Sequence, residues 1–259
     1  MLSITNQKIA GMKPVWAPFR GVSLLFDNPG NSIQPLGSYD LLEVICCRPS
    51  DPELAFYHNL NKAGLDQFIK TYFFCPLPFH SYHVTVWDGL NNGNLNKIAR
   101  PDRFDAEDML ANLHETFSAS ERNRFLCTEQ GVSLDLPMEG PITFAFKEVE
   151  KRGNSAVVVN LKPADPISEQ RLKQVEQQRT MLIEEYKRRY GLYTTSTAFR
   201  PHVSIGYFAN KEYAELSDAA IARLNETLAK STQGLTVTFA SMSLYGMSDM
   251  ETFFRPVKR

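Results

Sequence analysis

Cysteine is scarce in this chain of 259 residues, and its placement excludes two common uses. Cys46, Cys47, Cys75 and Cys127 show no metal-knuckle spacing, and the adjacent pair would point to opposite faces of a strand. Buried, reduced thiols are expected. No apolar run nears the ~20 residues that span a bilayer. Residues 1–8 have no apolar centre of the kind a secretory signal carries. A cytoplasmic protein with no membrane attachment is the expectation. Neither sign of charge is in excess: the formal net charge is −1, which argues against a broad basic surface for gripping duplex phosphates. A small nucleotide or a nucleic-acid terminus needs only one or two local charges and stays open. A Gly-rich dinucleotide loop, a P-loop and a Gly-x-Ser-x-Gly elbow are all missing. There is no carboxylate cluster, and neither a metal nor a cofactor is expected.

What the chain does have is one pattern written twice. His83-Val84-Thr85-Val86 and His202-Val203-Ser204-Ile205 each set a histidine and a hydroxyl two residues apart, with branched apolar residues between and after them. On a β-strand alternate side chains share a face, so His83 and Thr85 point one way and Val84 and Val86 the other. His202 and Ser204 are paired in the same manner above Val203 and Ile205. His114-Glu115-Thr116 fits the bare pattern too. Its neighbours Met109, Leu110, Leu113 and Phe117 recur at helical spacing, which makes His114 a helix-surface residue. The two strand copies lie nearly half the chain apart, as an internal duplication would place them.

Around these motifs, strands and helices recur in both halves. Residues 1–20 are expected to be irregular, with Pro14 and Pro18 against regular structure. Strands are predicted at 21–26, 41–46, 71–74 and 82–87. Helices are predicted from Pro49-Ser50-Asp51-Pro52 to about Lys62 and over 105–119, with a short apolar segment near 124–136. Pro141–Val149 and Ser155–Leu161 read as a hairpin about Lys151-Arg152-Gly153-Asn154. The clearest helix covers 167–190, with Leu172, Val175, Gln178 or Arg179, Leu182, Ile183 and Tyr186 on one face and Gly191 ending it. After the second motif come a helix at 211–230 and strands at 235–245 and 251–256. This is an α+β pattern with internal pseudo-symmetry, not a doubly wound sheet. Residues 21–259 are expected to form one bilobal domain, acting as a monomer.

Two histidine–hydroxyl strands in α+β halves resemble the two-histidine (2H) phosphoesterase superfamily. That group includes bacterial cyclic phosphodiesterases of the 2′-5′ RNA ligase type, plant cyclic phosphodiesterases and the nucleotide-binding domain of certain kinase-anchoring proteins. Its pattern is His-x-Thr/Ser, once per lobe, met here by His83-Val84-Thr85 and His202-Val203-Ser204. The run Leu77–Val86, with Ser81-Tyr82 before the first motif, and Gly30-Asn31-Ser32 are similar to a little-characterised bacterial branch. The resemblance implies a two-lobed, pseudo-symmetric fold of antiparallel sheets flanked by helices, with the motif strands side by side in a central cleft. Many relatives carry a basic residue shortly after the second motif. This chain has Gly206-Tyr207-Phe208 there, and Arg200 is the candidate to take its place.

In such a cleft, one neutral imidazole takes a proton from the attacking water or sugar hydroxyl. The other, protonated, gives one to the departing ribose oxygen. Thr85 and Ser204 donate hydrogen bonds to the non-bridging oxygens. The resemblance thus implies a metal-independent phosphodiesterase acting on a 2′,3′-cyclic phosphate or a 2′-5′ linkage, in a nucleotide or at an RNA end. Which of His83 and His202 is the base stays open. Strand parity adds Trp87, on the face of His83, and Phe208, on the face of His202, as surfaces for stacking a base. Packing into a lobe core is the alternative for both. Selectivity is expected in the loops around 89–104 and 27–40. Two other readings stand: a nucleotide-binding module that performs no chemistry in the same pocket, and an RNA end-processing or ligating enzyme.

Overall fold

Gly21–Phe26 carries apolar side chains on both faces and forms β1, a strand buried along its whole length. The computed structural model describes residues 5–9, 16–119 and 123–258. After β1 come β2 (Ile33–Leu36), β3 (Tyr39–Ile45), α1 (Ala55–Asn61), α2 (Asp66–Tyr72), β4 (Phe74–Pro76) and β5 (Thr85–Asn91). The middle of the chain holds α3 (Arg100–Ala111), α4 (Leu113–Ser118), β6 (Ile142–Arg152), β7 (Ala156–Pro163) and α5 (Pro166–Tyr190). It closes with β8 (His202–Phe208), α6 (Lys211–Glu215), α7 (Asp218–Ser231), β9 (Thr236–Phe239), β10 (Met242–Met247) and β11 (Phe253–Pro256).

These strands make two antiparallel sheets flanked by helices, a mixed α+β arrangement. One sheet has the order β2-β3-β11-β10-β1-β5, and the other β4-β8-β7-β6-β9. Each motif strand belongs to a different sheet. The sheets are not simply the two halves of the sequence, because β4 crosses to pair with β8 while β10 and β11 return to complete the first sheet. The sheets meet through aromatic rings, with Phe26 of β1 5.7 Å from Phe144 and 5.0 Å from Phe239. Beside Phe26, whose N–H donates to Val84 O at 3.0 Å, Val84 and Val203 form an antiparallel bridge.

Local chemistry explains where elements begin and stop. Helix α5 starts where the Asp165 carboxylate accepts from Ser168 N at 2.8 Å, with Pro166 in its first turn, and ends at Gly191, φ +67°. Its buried face is the expected one, with Arg179 among the apolar side chains. The hairpin between β6 and β7 turns at Gly153 and Asn154, both at positive φ. Of the strand predicted at 71–74 only Phe74 is in a strand, opening β4; residues 71 and 72 end α2, and Phe73 caps it in the left-handed region. The helix predicted over 105–119 starts earlier, at Arg100, and breaks at Asn112, whose side-chain amide donates back to Asp108. Residues 5–9 and 16–20 carry no regular element beyond one bridge, Ile9 to Trp16; the rest of the expected irregular segment lies outside the described residues. Among the described residues no helix is long and apolar enough to cross a membrane.

Each motif strand carries a β-bulge just past its hydroxyl residue. On β5, Thr85 and Trp87 pair with the consecutive Leu25 and Leu24; on β8, Ser204 and Gly206 pair with the consecutive Val158 and Val157. One extra residue, Val86 or Ile205, is thereby inserted, and the alternation of faces reverses beyond it. Buried groups take up the displaced carbonyls: Arg179 Nε donates to Val86 O at 2.7 Å and Leu77 N to Ile205 O at 3.0 Å. Gly206 sits at φ +156°, where a Cβ would come within 2.4 Å of Cys75 O. A Gly206→Ala substitution is therefore expected to destabilise the fold by about 1–3 kcal/mol, read as a lower urea midpoint at unchanged slope.

Candidate active site

The bridge between Val84 and Val203 joins the central residues of the two motifs. In an antiparallel pair the residue before one partner lies across from the residue after the other. By that register His83 falls opposite Ser204, and Thr85 opposite His202. Each imidazole is set against the hydroxyl of the other strand. All four side chains line one cavity of about 350 Å³. Val84 and Val203 point the other way and are fully buried.

Both imidazoles are held alike. His83 Nδ1 lies 2.7 Å from Ser81 O, and His202 Nδ1 lies 2.8 Å from Arg200 O. A carbonyl can only accept, so each Nδ1 carries the hydrogen and each Nε2 presents its lone pair when the ring is neutral. Ser81 closes a 3₁₀ turn, Phe79–Ser81, and its hydroxyl donates to Pro78 O at 2.9 Å. Asn28 fixes the approach to β5, donating to Tyr82 O at 2.7 Å while accepting from the Tyr57 hydroxyl at 3.0 Å. The His83 ring rests on Phe253, with centroids 4.1 Å apart. His202 lies opposite Asn160 of β7, which registers its strand.

The surroundings disfavour the protonated form of both rings. Burial lowers the pKa of His83, opposed by the Ser81 carbonyl and by Asp88. Burial and the Arg152 guanidinium pull His202 down to about 4. Arg152 Nη1 lies against the His202 ring, 2.9 Å from Nδ1 and 3.1 Å from Nε2, and its Nη2 donates to Asn160 Oδ1 at 2.7 Å. Lys8 enters from the N-terminal segment, with Nζ 5.0 Å from the Tyr207 ring centroid and 5.4 Å from that of Phe19. Tyr207 and Asp88 outweigh the effect of burial and raise its pKa, so Lys8 is a charged lining residue.

The cleft has two chambers that share Thr85, Asp88 and His202. The first, about 400 Å³, extends past His202 among Arg152, Thr195, Ser196, Phe199 and Arg200. The second is the 350 Å³ cavity that holds His83, Ser204, Lys8, Tyr207 and Phe253. Both volumes fall within the span of small-molecule sites. Among the described residues no three His, Cys, Asp or Glu side chains are grouped as metal ligands would be.

Two expected site residues are not in the cleft. Trp87 is fully buried, its Nε1 donating to Thr194 Oγ1 at 2.8 Å and its ring 4.9 Å from that of Tyr186. Phe208 is fully buried against Phe74, at 5.2 Å. The bulges are the cause. Beyond them the cleft positions pass to Asp88 and Tyr207, three residues after Thr85 and Ser204. Gly206 inside a strand pattern was the available signal for Tyr207. Arg152, in the β6–β7 hairpin, and Lys8 had none. Of the loops expected to set selectivity, Asn91, Gly93 and Asn94 line the cleft and residues 27–40 do not. His80 is a surface residue paired with Glu251 at 2.9 Å, and His114 lies between the rings of Tyr39 and Phe254.

No protein-family model matches the sequence, and no curated protein matches it. Among solved structures, a conserved protein of unknown function from Agrobacterium tumefaciens is similar at 12% identity and a TM-score of 0.50, covering 95% of this chain and 88% of its own. Usb1 from Kluyveromyces marxianus is similar at 15% identity and a TM-score of 0.40, covering 93% of this chain and 98% of its own. A structure of the same yeast protein with uridine monophosphate gives 14% identity and a TM-score of 0.37, over 92% and 97% of the two chains. The bacterial likeness is one of fold alone, and the two yeast likenesses are too distant to bear on the chemistry.

Proposed function

We propose that this protein is a metal-independent phosphodiesterase of the two-histidine type, acting on a 2′,3′-cyclic phosphate or a 2′-5′ linkage in a nucleotide or at an RNA end. The observation that carries this reading is the convergence of His83, Thr85, His202 and Ser204 on one cavity, each imidazole opposite a hydroxyl of the other strand. The resemblance of the two motifs to the 2H superfamily supports it.

A phosphorus centre in the cavity has an Nε2 on either side. His202 is assigned the base, because burial and Arg152 keep it unprotonated. Its Nε2 takes the proton from the attacking water as the oxygen bonds to phosphorus. His83, assigned the acid, gives its proton to the ribose oxygen as the P–O bond breaks. The incoming phosphate draws Arg152 away from the His202 ring, and its negative charge raises the affinity of both rings for a proton. Thr85 and Ser204 donate to the non-bridging oxygens and hold the centre in line. Lys8 and Arg152 supply the cationic charge that the residues after the second motif lack. A pocket that binds nucleotide without turnover is favoured by one feature, the arginine set against the His202 ring. Calorimetry with AMP or CMP beside a turnover assay separates the two.

His83→Ala and His202→Ala are each expected to lower kcat by about 10²–10⁴-fold, while EDTA leaves wild-type activity intact. Full activity in both variants would overturn the assignment. The pH profile of kcat/KM should be bell-shaped. Its acid limb follows His202, unprotonated above about 4; its basic limb follows His83, which loses its proton below the ordinary histidine value. The optimum therefore falls on the acid side of the usual histidine range. In Arg152→Ala the lost repulsion lets His202 hold its proton to higher pH, so the acid limb is expected to move upward. A fixed limb would separate Arg152 from that titration.

A further inference from the structure

The chamber beyond His202 has room and charge that a single reacting phosphate does not use. It is walled by Arg152, Arg200, Thr195, Ser196 and Phe199. Arg179 also borders it, but its guanidinium is taken up by the backbone oxygens of Val86, Ser196 and Thr197. The two other arginines are not so bound. Arg152 spans the space between His202 and Asn160, and Arg200 is 66% exposed. Both lie near one carboxylate, Glu150, at 3.4 Å and 3.5 Å. Asp88, on the wall shared with the other chamber, is the second negative group that faces this space, and Ser23 donates to it at 3.2 Å. Past Arg200 a further groove continues, but there Lys147 and Lys162 are matched by Glu148, Glu150 and Glu176. With Arg179 counted, the chamber's own lining sets three arginines against the one carboxylate of Asp88, an excess that the groove beyond does not share.

Resting on the phosphodiesterase reading, we propose that this patch is an anion subsite for a second phosphate of the substrate. The chemical class is a nucleotide bearing a phosphate adjacent to the reacting one, as an RNA end does and a cyclic mononucleotide does not. Arg200 and Arg152 form charge-assisted bonds to that phosphate. The hydroxyls of Thr195 and Ser196 offer further donors, and Phe199 offers a ring face to the attached nucleoside. Glu150 holds the arginines in place when the subsite is empty and competes with the phosphate when it is filled. Beyond Arg200 the matched charges give no reason to expect a third phosphate to be recognised.

The test compares a nucleoside 2′,3′-cyclic phosphate with its 5′-phosphorylated form, and a 2′-5′ dinucleoside monophosphate with its 5′-phosphorylated form. The second phosphate is expected to raise kcat/KM at least tenfold in one of the pairs. Arg200→Ala should bring that ratio close to one, and Glu150→Gln, which keeps an oxygen for Asn160, should increase it. A binding arm uses His83→Ala, whose altered side chain lies in the other chamber. Calorimetry there should show a nucleoside 3′,5′-bisphosphate binding at least tenfold tighter than the 3′-monophosphate. Cleavage with no preference for the second phosphate, and equal binding of the two ligands, overturns the subsite and leaves the phosphodiesterase reading standing. Tighter bisphosphate binding with no cleavage of any diester does the reverse.

Discussion

The site exists because two strands from different sheets touch at a single pair of valines. Val84 and Val203 have no function of their own, yet their bridge decides which side chain faces which. Antiparallel pairing at that point sets histidine against hydroxyl twice, once on each side of the contact. Parallel pairing would have set histidine against histidine. The bridge is one pair of residues long, so the packing behind it must hold the register. Fully burying a valine contributes about 1.5–3 kcal/mol, and here both valines are fully buried. The Phe26–Phe144–Phe239 cluster packs beside that bridge, with Phe26 N donating to Val84 O at 3.0 Å.

Arg179 connects that geometry to the rest of the chain. It sits on the buried face of α5 and donates to Val86 O of the first motif strand and to the loop that leads into the second. A buried guanidinium is tolerated because its donors meet carbonyl oxygens and a threonine hydroxyl. The bulge at Val86 frees one of those carbonyls from the ladder. The irregularity of the strand and the buried charge of the helix are therefore one arrangement.

The motifs themselves were legible because period-two alternation is a strong local signal. The same rule carried His83 and Thr85, or His202 and Ser204, onto one face. It failed beyond the hydroxyl residue in both copies, and for one reason. A bulge inserts a residue without changing composition, so Trp87 and Phe208 read as cleft residues while they pack the core. Helix α5 was clear because its cap, its apolar stripe and its terminal glycine agree. The final turn of α2 was read as a strand because Tyr72, Phe73 and Phe74 suit a sheet as well as a helix end. Arg152 and Lys8 reach the cleft through tertiary placement, from a hairpin and from a segment far off in sequence. No local pattern marks them.

The exchange of strands between the sheets bears on how this chain reaches its final form. β10 lies against β1 and β11 against β3, so the N-terminal sheet is completed only by residues 242–256. Such pairings carry a large loop-closure cost before they return any contact, which slows folding. During synthesis, β1 must wait beside an unfilled edge until residues 242–256 have emerged. Each sheet draws strands from both halves of the sequence. The cleft between the two motifs is therefore among the last features to be assembled.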